Sequence, residues 1–280
     1  MTALARTDPY APRGAGLALE TVAAWALALV WILPLAYAVW TAFHAPEFST
    51  RFSLTAPLTL DNFARAWAAA PFARYFLNTF ALVTLVLGCQ LILCTLAAYA
   101  FARYRFVGSD VAFALVLAQL MIMPDVLIVE NYRTMGRIGI LDSIPAIALP
   151  YVASAFGIFL LRQTFKTVPN ELDDAARVEG ASGLQVLMKV YVPLARPIYV
   201  AYGLVSVSYH WNNFLWPLII TRDADLQTLP LGLARFLSYH EDTTGALYAF
   251  CVLVLMPGIL LFLLAQKQFI QGLTSGATKG

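Results

Sequence analysis

The side chains able to do chemistry are few. Trp211, Asn212, Asn213 and Trp216 stand together in the stretch Trp211-Asn212-Asn213-Phe214-Leu215-Trp216-Pro217. Aromatic faces stack on apolar C–H surfaces and amides hydrogen-bond hydroxyls, so this set suits the passage of a polyhydroxylated solute rather than a reaction. A second reading is open. An amide in an apolar segment also bonds a neighbouring helix, and Tyr209, Trp211 and Trp216 also fit an interfacial aromatic belt. Asp125 and Glu130 end another apolar segment, and Arg133, three residues beyond Glu130, favours a surface ion pair over an ion-coupling carboxylate. His210, Gln90 and Asn78 read as hydrogen-bonded helix contacts. Cys89, Cys94 and Cys251 lie inside apolar runs and read as small fillers, neither disulfides nor metal ligands. The patterns G-x-x-x-x-G-K-[ST], H-E-x-x-H and G-x-S-x-G are all missing from the sequence. No enzyme, metal site or cofactor is therefore expected, and any ATP would be hydrolysed on a separate chain.

The elements that must position these residues are apolar. Of 280 residues, 60% are hydrophobic and 12% charged, with a mean hydropathy of +0.72. Soluble domains carry about a quarter charged residues, so lipid is the expected surrounding. Eighteen basic against sixteen acidic residues give no strong field, which argues against nucleic acid as a partner. Six apolar segments, at about 19–43, 75–101, 111–129, 144–161, 198–221 and 245–265, approach the roughly 20 residues a helix needs to cross a bilayer. The first is longer than the apolar core of a secretory signal, about 7–15 residues, and reads as a retained span. The fourth is short and holds Pro145, Pro150 and Gly157; the fifth is expected to break near Pro217. The fold class that follows is all-α, a polytopic membrane protein with six transmembrane helices. An arm at 1–18, with Arg6, Arg13, Pro9 and Pro12, precedes the membrane domain at 19–265, and a polar, glycine-bearing tail at 266–280 follows it.

The longest polar interval of the apolar region, 163–197, reads as helix, tight turn, helix. Pro169 cannot continue a preceding helix, and Asn170 is a good N-cap. Glu171, Asp173 and Asp174 crowd the first turn, where carboxylates favour the positive end of the helix dipole. Leu172, Ala175, Ala176 and Glu179 share one face, kept flat by the two alanines. Gly180 is placed as a C′ glycine, and Ser182 caps a second helix that should run to Tyr191 before Pro193 stops it. The face is one that another protein can approach closely; an amphipathic pair lying on the membrane surface fits the same residues.

The spacing Asp174-Ala175-Ala176, three residues, Gly180, nine residues, Val190, one residue, Val192-Pro193 resembles the EAA loop of ATP-binding-cassette importer permeases. The basic turn Arg103-Tyr104-Arg105-Phe106, Leu141-Asp142-Ser143, the stretch 211–217 and Phe269-Ile270-Gln271-Gly272-Leu273-Thr274 extend the resemblance along the chain. Together they are similar to the carbohydrate-importer permeases, in particular the six-span inner permease of maltose and glycerol-3-phosphate transporters. The resemblance implies a permease subunit in the inner plasma membrane that pairs with a second homologous permease, docks on an ATPase dimer and receives solute from an extracytoplasmic solute-binding protein. It implies that Glu171, Asp174, Ala175, Ala176, Gly180 and Pro193, in the loop at 171–193, couple to the ATPase. It also implies a sugar or sugar-like solute passing Trp211, Asn212, Asn213 and Trp216, with glycerol 3-phosphate as the alternative substrate and an ion-coupled secondary transporter as the alternative mechanism. Asp174 departs from the usual Glu by one methylene, which bears on its own contact more than on docking.

Six spans put both termini on one side. Eleven Lys and Arg fall on the side of the termini and the 163–197 loop, against seven on the other, which makes that side cytoplasmic. A reporter active only in the cytoplasm should work when fused after Gly280 or within 183–187, and be silent near Thr50 or Thr243. Activity at either outer position would overturn the six-span arrangement.

Overall fold

The computed structural model describes residues 14–48, 53, 55–239 and 244–277. The arm through Arg13, Arg51, Lys279 and the reporter positions Thr50, Thr243 and Gly280 lie outside the described residues. The described residues are helical almost throughout, and their only bridge pairs His44 with Leu58.

The first two apolar segments form long helices, α1 (Gly14–Ala42) and, after the short α2 (Asp61–Ala69), α3 (Phe72–Arg103). Both are long and apolar enough to cross a membrane. The next three segments are helices in two pieces. α4 (Ser109–Ala118) and α5 (Ile128–Arg137) belong to arms that turn by 93° across the intervening residues. The single third span expected at 111–129 is therefore broken. Pro124 accounts for this: it has no N–H to donate and holds Met123 extended, at φ −65° and ψ 133°.

In the fourth segment α6 (Ile144–Ala148) and α7 (Ala155–Lys166) lie on arms bent by 47°. Ser143 and Ser154 cap the two pieces, their hydroxyl oxygens accepting from the amides of Ala146 and Gly157, each at 3.2 Å. The polar interval gives α8 (Asn170–Val178), α9 (Gly183–Val186) and α10 (Val192–Leu194). The fifth segment divides into α11 (Arg196–Trp211) and α12 (Leu215–Ile220). Its break falls at 212–214, not at Pro217. Pro217 lies in the first turn of α12, where a backbone N–H has no intrahelical acceptor and its loss costs nothing. α13 (Leu229–Tyr239) and α14 (Thr244–Ala277) complete the chain, α14 running on through 266–277.

The chain divides into two compact units, residues 1–68 with 240–252 and residues 69–239 with 253–280. In the first, Asn62 closes the end of α1: its amide nitrogen donates to the carbonyls of Thr41, Ala42 and His44 at 3.3, 3.1 and 2.7 Å.

The second unit is built on α3. Asn78, Leu82, Val86, Gln90, Cys94 and Ala98 are all buried and follow one another at four-residue steps. Each such step turns about 40° around the axis, so the buried stripe winds and meets different neighbours along its length. Near its start Leu82 and Val86 pack with Met135, the α6 residues Ala146 to Ala148, Trp216 and Ile220. Near its end Cys94, Ala98 and Tyr99 pack with Leu161 and Phe165 of α7, Val186, Leu187 and Tyr191. Gln90 lies between these two clusters.

Candidate functional site

Gln90 is the polar point where three segments meet. Its amide nitrogen donates to the Tyr151 carbonyl at 2.7 Å, in the bend between α6 and α7, and lies 3.3 Å from His210 Nε2 on α11. Its amide oxygen accepts from the hydroxyls of Tyr202 at 2.8 Å and Ser206 at 2.6 Å, also on α11. The orientation of the amide follows from chemistry: the Tyr151 carbonyl only accepts, so the nitrogen must face it. Tyr202 reaches Gln90 across α7 because Gly157 lacks a side chain; a Cβ there would lie 2.7 Å from the tyrosine ring.

Beside this network opens a cavity of about 390 Å³, in the range of small-molecule pockets, roughly 300–1,000 Å³. Tyr151, Tyr202, Tyr209 and Phe156 give it aromatic walls, Gln90, Gln119 and Asn131 contribute amides, and none of its lining residues is Asp, Glu, Lys or Arg. Pro124 and Leu127 from the third-segment break form one side. The arrangement can stack on C–H surfaces and exchange hydrogen bonds with hydroxyls.

The residues expected along a solute path are separated by the break at 212–214. Trp211 ends α11, its ring edge-on to Phe76 at 5.9 Å and its indole N–H buried with no acceptor among the described residues. Asn212 is exposed and donates back to the Ser208 carbonyl at 2.8 Å. Asn213 is half-buried and bears on the Tyr151 hydroxyl. Trp216 is 2% exposed and donates to the Ala146 carbonyl at 3.3 Å, so it packs the break in place rather than facing solute. None of the four lines the cavity, whose α11 residues run from Tyr202 to His210. Gln90 and His210, read from sequence as helix contacts, are that and also line the cavity; four-residue spacing with Cys94 on a buried stripe was the available sign for Gln90.

The second feature is the pair formed by α8 and the helix from Gly183. α8 ends in a Schellman turn: Ala181 N–H donates to the Ala176 carbonyl at 3.0 Å and Gly180 N–H to Arg177 at 2.9 Å, with Gly180 at φ +83°. A Cβ at Gly180 would meet no atom within 4 Å, so the backbone conformation, and not packing, demands glycine there. Ser182 caps the second helix with Gln185 in a capping box. That helix does not stop at Pro193. It widens into a π-turn over Leu187–Tyr191, where Val192 N–H donates to the Leu187 carbonyl, and continues to Leu194. The wider turn lets the proline ring clear the carbonyl four residues back. Arg196 then starts α11 at 78° to it.

Asn170 is the first residue of α8 and does not cap it. Its side-chain oxygen is taken by the Arg103 guanidinium instead. Glu171, Asp174, Ala175, Gly180 and Pro193 are exposed and Ala176 half-buried against the core. Val178 is 89% and Leu184 63% exposed on the same pair, more apolar surface than a solvated loop needs. Asp173 is the one buried carboxylate among the described residues, paired with Arg177 at 3.2 Å. Burial pushes the Tyr191 hydroxyl up, with nearby Arg103 pulling the other way. Glu130 and Arg133 form an exposed ion pair at 2.9 Å, the surface pairing expected from their spacing.

The model of the family described as "Binding-protein-dependent transport system inner membrane component" matches residues 21–275. The chain is 32% identical to the arabinooligosaccharides transport system permease protein AraQ of Halalkalibacterium halodurans over 260 residues, 91% of this chain and 93% of the relative. It is 33% identical to the lactose transport system permease protein LacG of Rhizobium radiobacter over 213 residues, 76% and 78% of the two chains. It is 30% identical to the sn-glycerol-3-phosphate transport system permease protein UgpE of Shigella flexneri over 268 residues, 90% and 95%. In fold it is similar to a chain of a bacterial ABC transporter involved in the import of the acidic polysaccharide alginate, with TM-score 0.82 and 22% identity over 94% of this chain and 100% of that one.

Gln90→Leu would leave the Tyr202 and Ser206 hydroxyls and the Tyr151 carbonyl without their shared partner. The expected cost is about 2 kcal/mol, read as a lower unfolding midpoint of the detergent-solubilised protein. Cys89→Ala, one position away and free of disulfides, should change it little. Equal midpoints for Gln90→Leu and the parent would show that the amide does not hold the three segments together.

Proposed function

The chain belongs to the inner-membrane components of binding-protein-dependent transport systems, and from that premise we propose how its two sites serve import. It is a multi-pass permease subunit of an ABC sugar transporter, not an enzyme, and acts with a second permease, an ATPase and a solute-binding protein. The pair at 171–193 is the seat of the ATPase. The observation that carries this reading is the exposed α8 face, flat at Ala175, edged by Glu171 and Asp174 and closed by a glycine turn, with bare Val178 and Leu184 beside it. On this reading the pair and both termini are cytoplasmic, in keeping with the distribution of Lys and Arg.

The cavity beside Gln90 is this chain's share of the solute path, with Trp211, Asn212 and Asn213 at the helix break beyond it and the second permease supplying the other wall. Its solute is a neutral saccharide. Relatives are named for arabino-oligosaccharides and lactose and also for sn-glycerol 3-phosphate, and the uncharged, aromatic and amide-bearing lining supports the neutral class. An anion crossing it would lose hydration with no cation to replace it. In vesicles holding the whole transporter and its binding protein, neutral oligosaccharides should be taken up. Uptake of glycerol 3-phosphate or an acidic oligosaccharide at the same rate would overturn the assignment.

Gly180→Val tests the coupling site. The left-handed backbone costs a residue with a Cβ roughly 1 kcal/mol or more, too little to unfold the protein, but the new side chain stands where a partner must approach. The variant should insert in near-normal amount, yet transport and ATPase activity stimulated by loaded binding protein should fall sharply. Val178→Ala should be mild. Assembly and transport at parental levels in Gly180→Val would remove the coupling role from this pair.

A further inference from the structure

The basic turn at the end of α3 is not a solvated charge run. Arg103 is half-buried, and its guanidinium meets both helices of the coupling pair and the connection that leads into them. One terminal nitrogen donates to the Asn170 side-chain oxygen at the start of α8, and the other to the Val168 carbonyl in the connection from α7. The plane of the same group lies over the Tyr191 ring, 4.8 Å from its centroid, in the π-turn of the second helix. Tyr191 is itself fully buried and Val168 is 7% exposed, so two of the three contacts are made against core, while Asn170 is exposed. Tyr104 stands close by as well: its hydroxyl occupies the space a side chain at Gly183 would need, 2.7 Å from where its Cβ would lie. α7, which leads into the pair, is tied to α3 as well: Arg162 donates to the Phe101 carbonyl at 3.2 Å and lies over the Phe113 ring at 3.9 Å.

We propose that Arg103 is a positioning residue that fastens the ATPase-coupling pair to α3, so that a displacement of the pair is carried along α3 to Gln90 and the cavity. The inference rests on the reading of 171–193 as the coupling site. Arg103 and Gln90 belong to one uninterrupted helix, about 20 Å apart at 1.5 Å per residue. The helix between them is packed on buried neighbours, so it moves as a body or not at all. A planar fork is required. Two acceptors of fixed position and an aromatic face are served together by a guanidinium, whereas an ammonium is a point charge with no plane to lay over the ring. Arg105, two residues on, is exposed and serves as the control for charge alone.

The test uses the complete transporter in vesicles, with its ATPase and binding protein. It compares Arg103→Gln, Arg103→Lys, Asn170→Leu, Arg105→Gln and Gly180→Val. Subunit co-purification gives the assembled amount, and the readout is solute moved per ATP hydrolysed, which a simple loss of folded protein does not change. Arg103→Gln should assemble and lower that ratio at least about fivefold, within the range for residues that carry coupling between sites. Arg103→Lys should recover little of it, Asn170→Leu should lower it about twofold by removing one of the contacts, and Arg105→Gln should match the parent. If Arg103→Gln fails to assemble, Asn170→Leu decides: an unchanged ratio there overturns the proposal. So does a parental ratio in assembled Arg103→Gln, or an equal fall in Arg105→Gln. Gly180→Val separates the two levels. Loss of coupling in Gly180→Val with a parental Arg103→Gln sinks only the role of Arg103, while a silent Gly180→Val sinks the coupling reading beneath it.

Discussion

A carboxamide buried in an apolar helix must find partners on all sides, and in this chain that constraint falls on Gln90. Its four hydrogen-bonding capacities are met by groups from two places: the Tyr151 carbonyl in the bend between α6 and α7, and the Tyr202 and Ser206 hydroxyls and His210 Nε2 on α11. Because the amide nitrogen donates towards His210, Nε2 must present a lone pair, which fixes the imidazole as the tautomer protonated on Nδ1. The carbonyl of Tyr151 is free to accept because the amide four residues on, Ala155 N–H, donates instead to the Gln119 side-chain oxygen at 3.1 Å where the segment breaks. A break in one segment is thus the reason a polar side chain of another can be satisfied. The cavity follows from the same break, since a helix that continued straight through 149–154 would fill the space that Tyr151, Ser154 and Phe156 now border.

Much of this was legible in the sequence, for reasons that differ by element. The long helices α1 and α3 follow from uninterrupted apolar runs, which lipid leaves no alternative way to satisfy. The turn at Gly180 and the cap at Ser182 were legible because both are local: a glycine after an amphipathic stretch and a serine three residues before Gln185 need no tertiary information. Breaks were harder. Proline marks a possible interruption without saying whether its N–H was needed. Pro217 sits where it was not, Pro193 is absorbed by a π-turn, and Pro124 alone of these three breaks its segment. Asn170 shows the other limit. Its fitness as a cap is local, but Arg103, far away in the chain, offers its oxygen a charged donor, and the charged donor wins. Trp216 likewise carried the same composition signal as Trp211, and only packing under α6 distinguishes a core indole from one at a helix end.

The pair formed by α8 and the helix from Gly183 is held differently on its two faces, and the proposed coupling role rests on that asymmetry. Towards the membrane domain Val186, Leu187 and Tyr191 are fully buried with Phe165 and Leu161, and aromatic edges meet among Tyr99, Phe165 and Tyr191 at 5.1–6.5 Å. Away from it, small or bare side chains leave the α8 face open. A rigid inner face with an open outer face transmits a push, because packed aromatic contacts are bistable rather than continuously deformable.

The π-turn at Leu187–Tyr191 adds a reason for the pair to pivot as well as translate. A five-residue hydrogen-bond step is less favourable than the α-helical one, and it is retained here next to a proline, a tyrosine hydroxyl with no partner among the described residues and the 78° turn into α11. The π-turn and the bend interrupt the regular α-helical ladder at one joint, while the side-chain packing around Leu187 and Tyr191 stays dense. Two routes therefore lead from the pair to Gln90, one along the backbone into α11 and one through packed side chains into α3 and α7, and on the proposed coupling role both end in the hydrogen bonds that line the cavity.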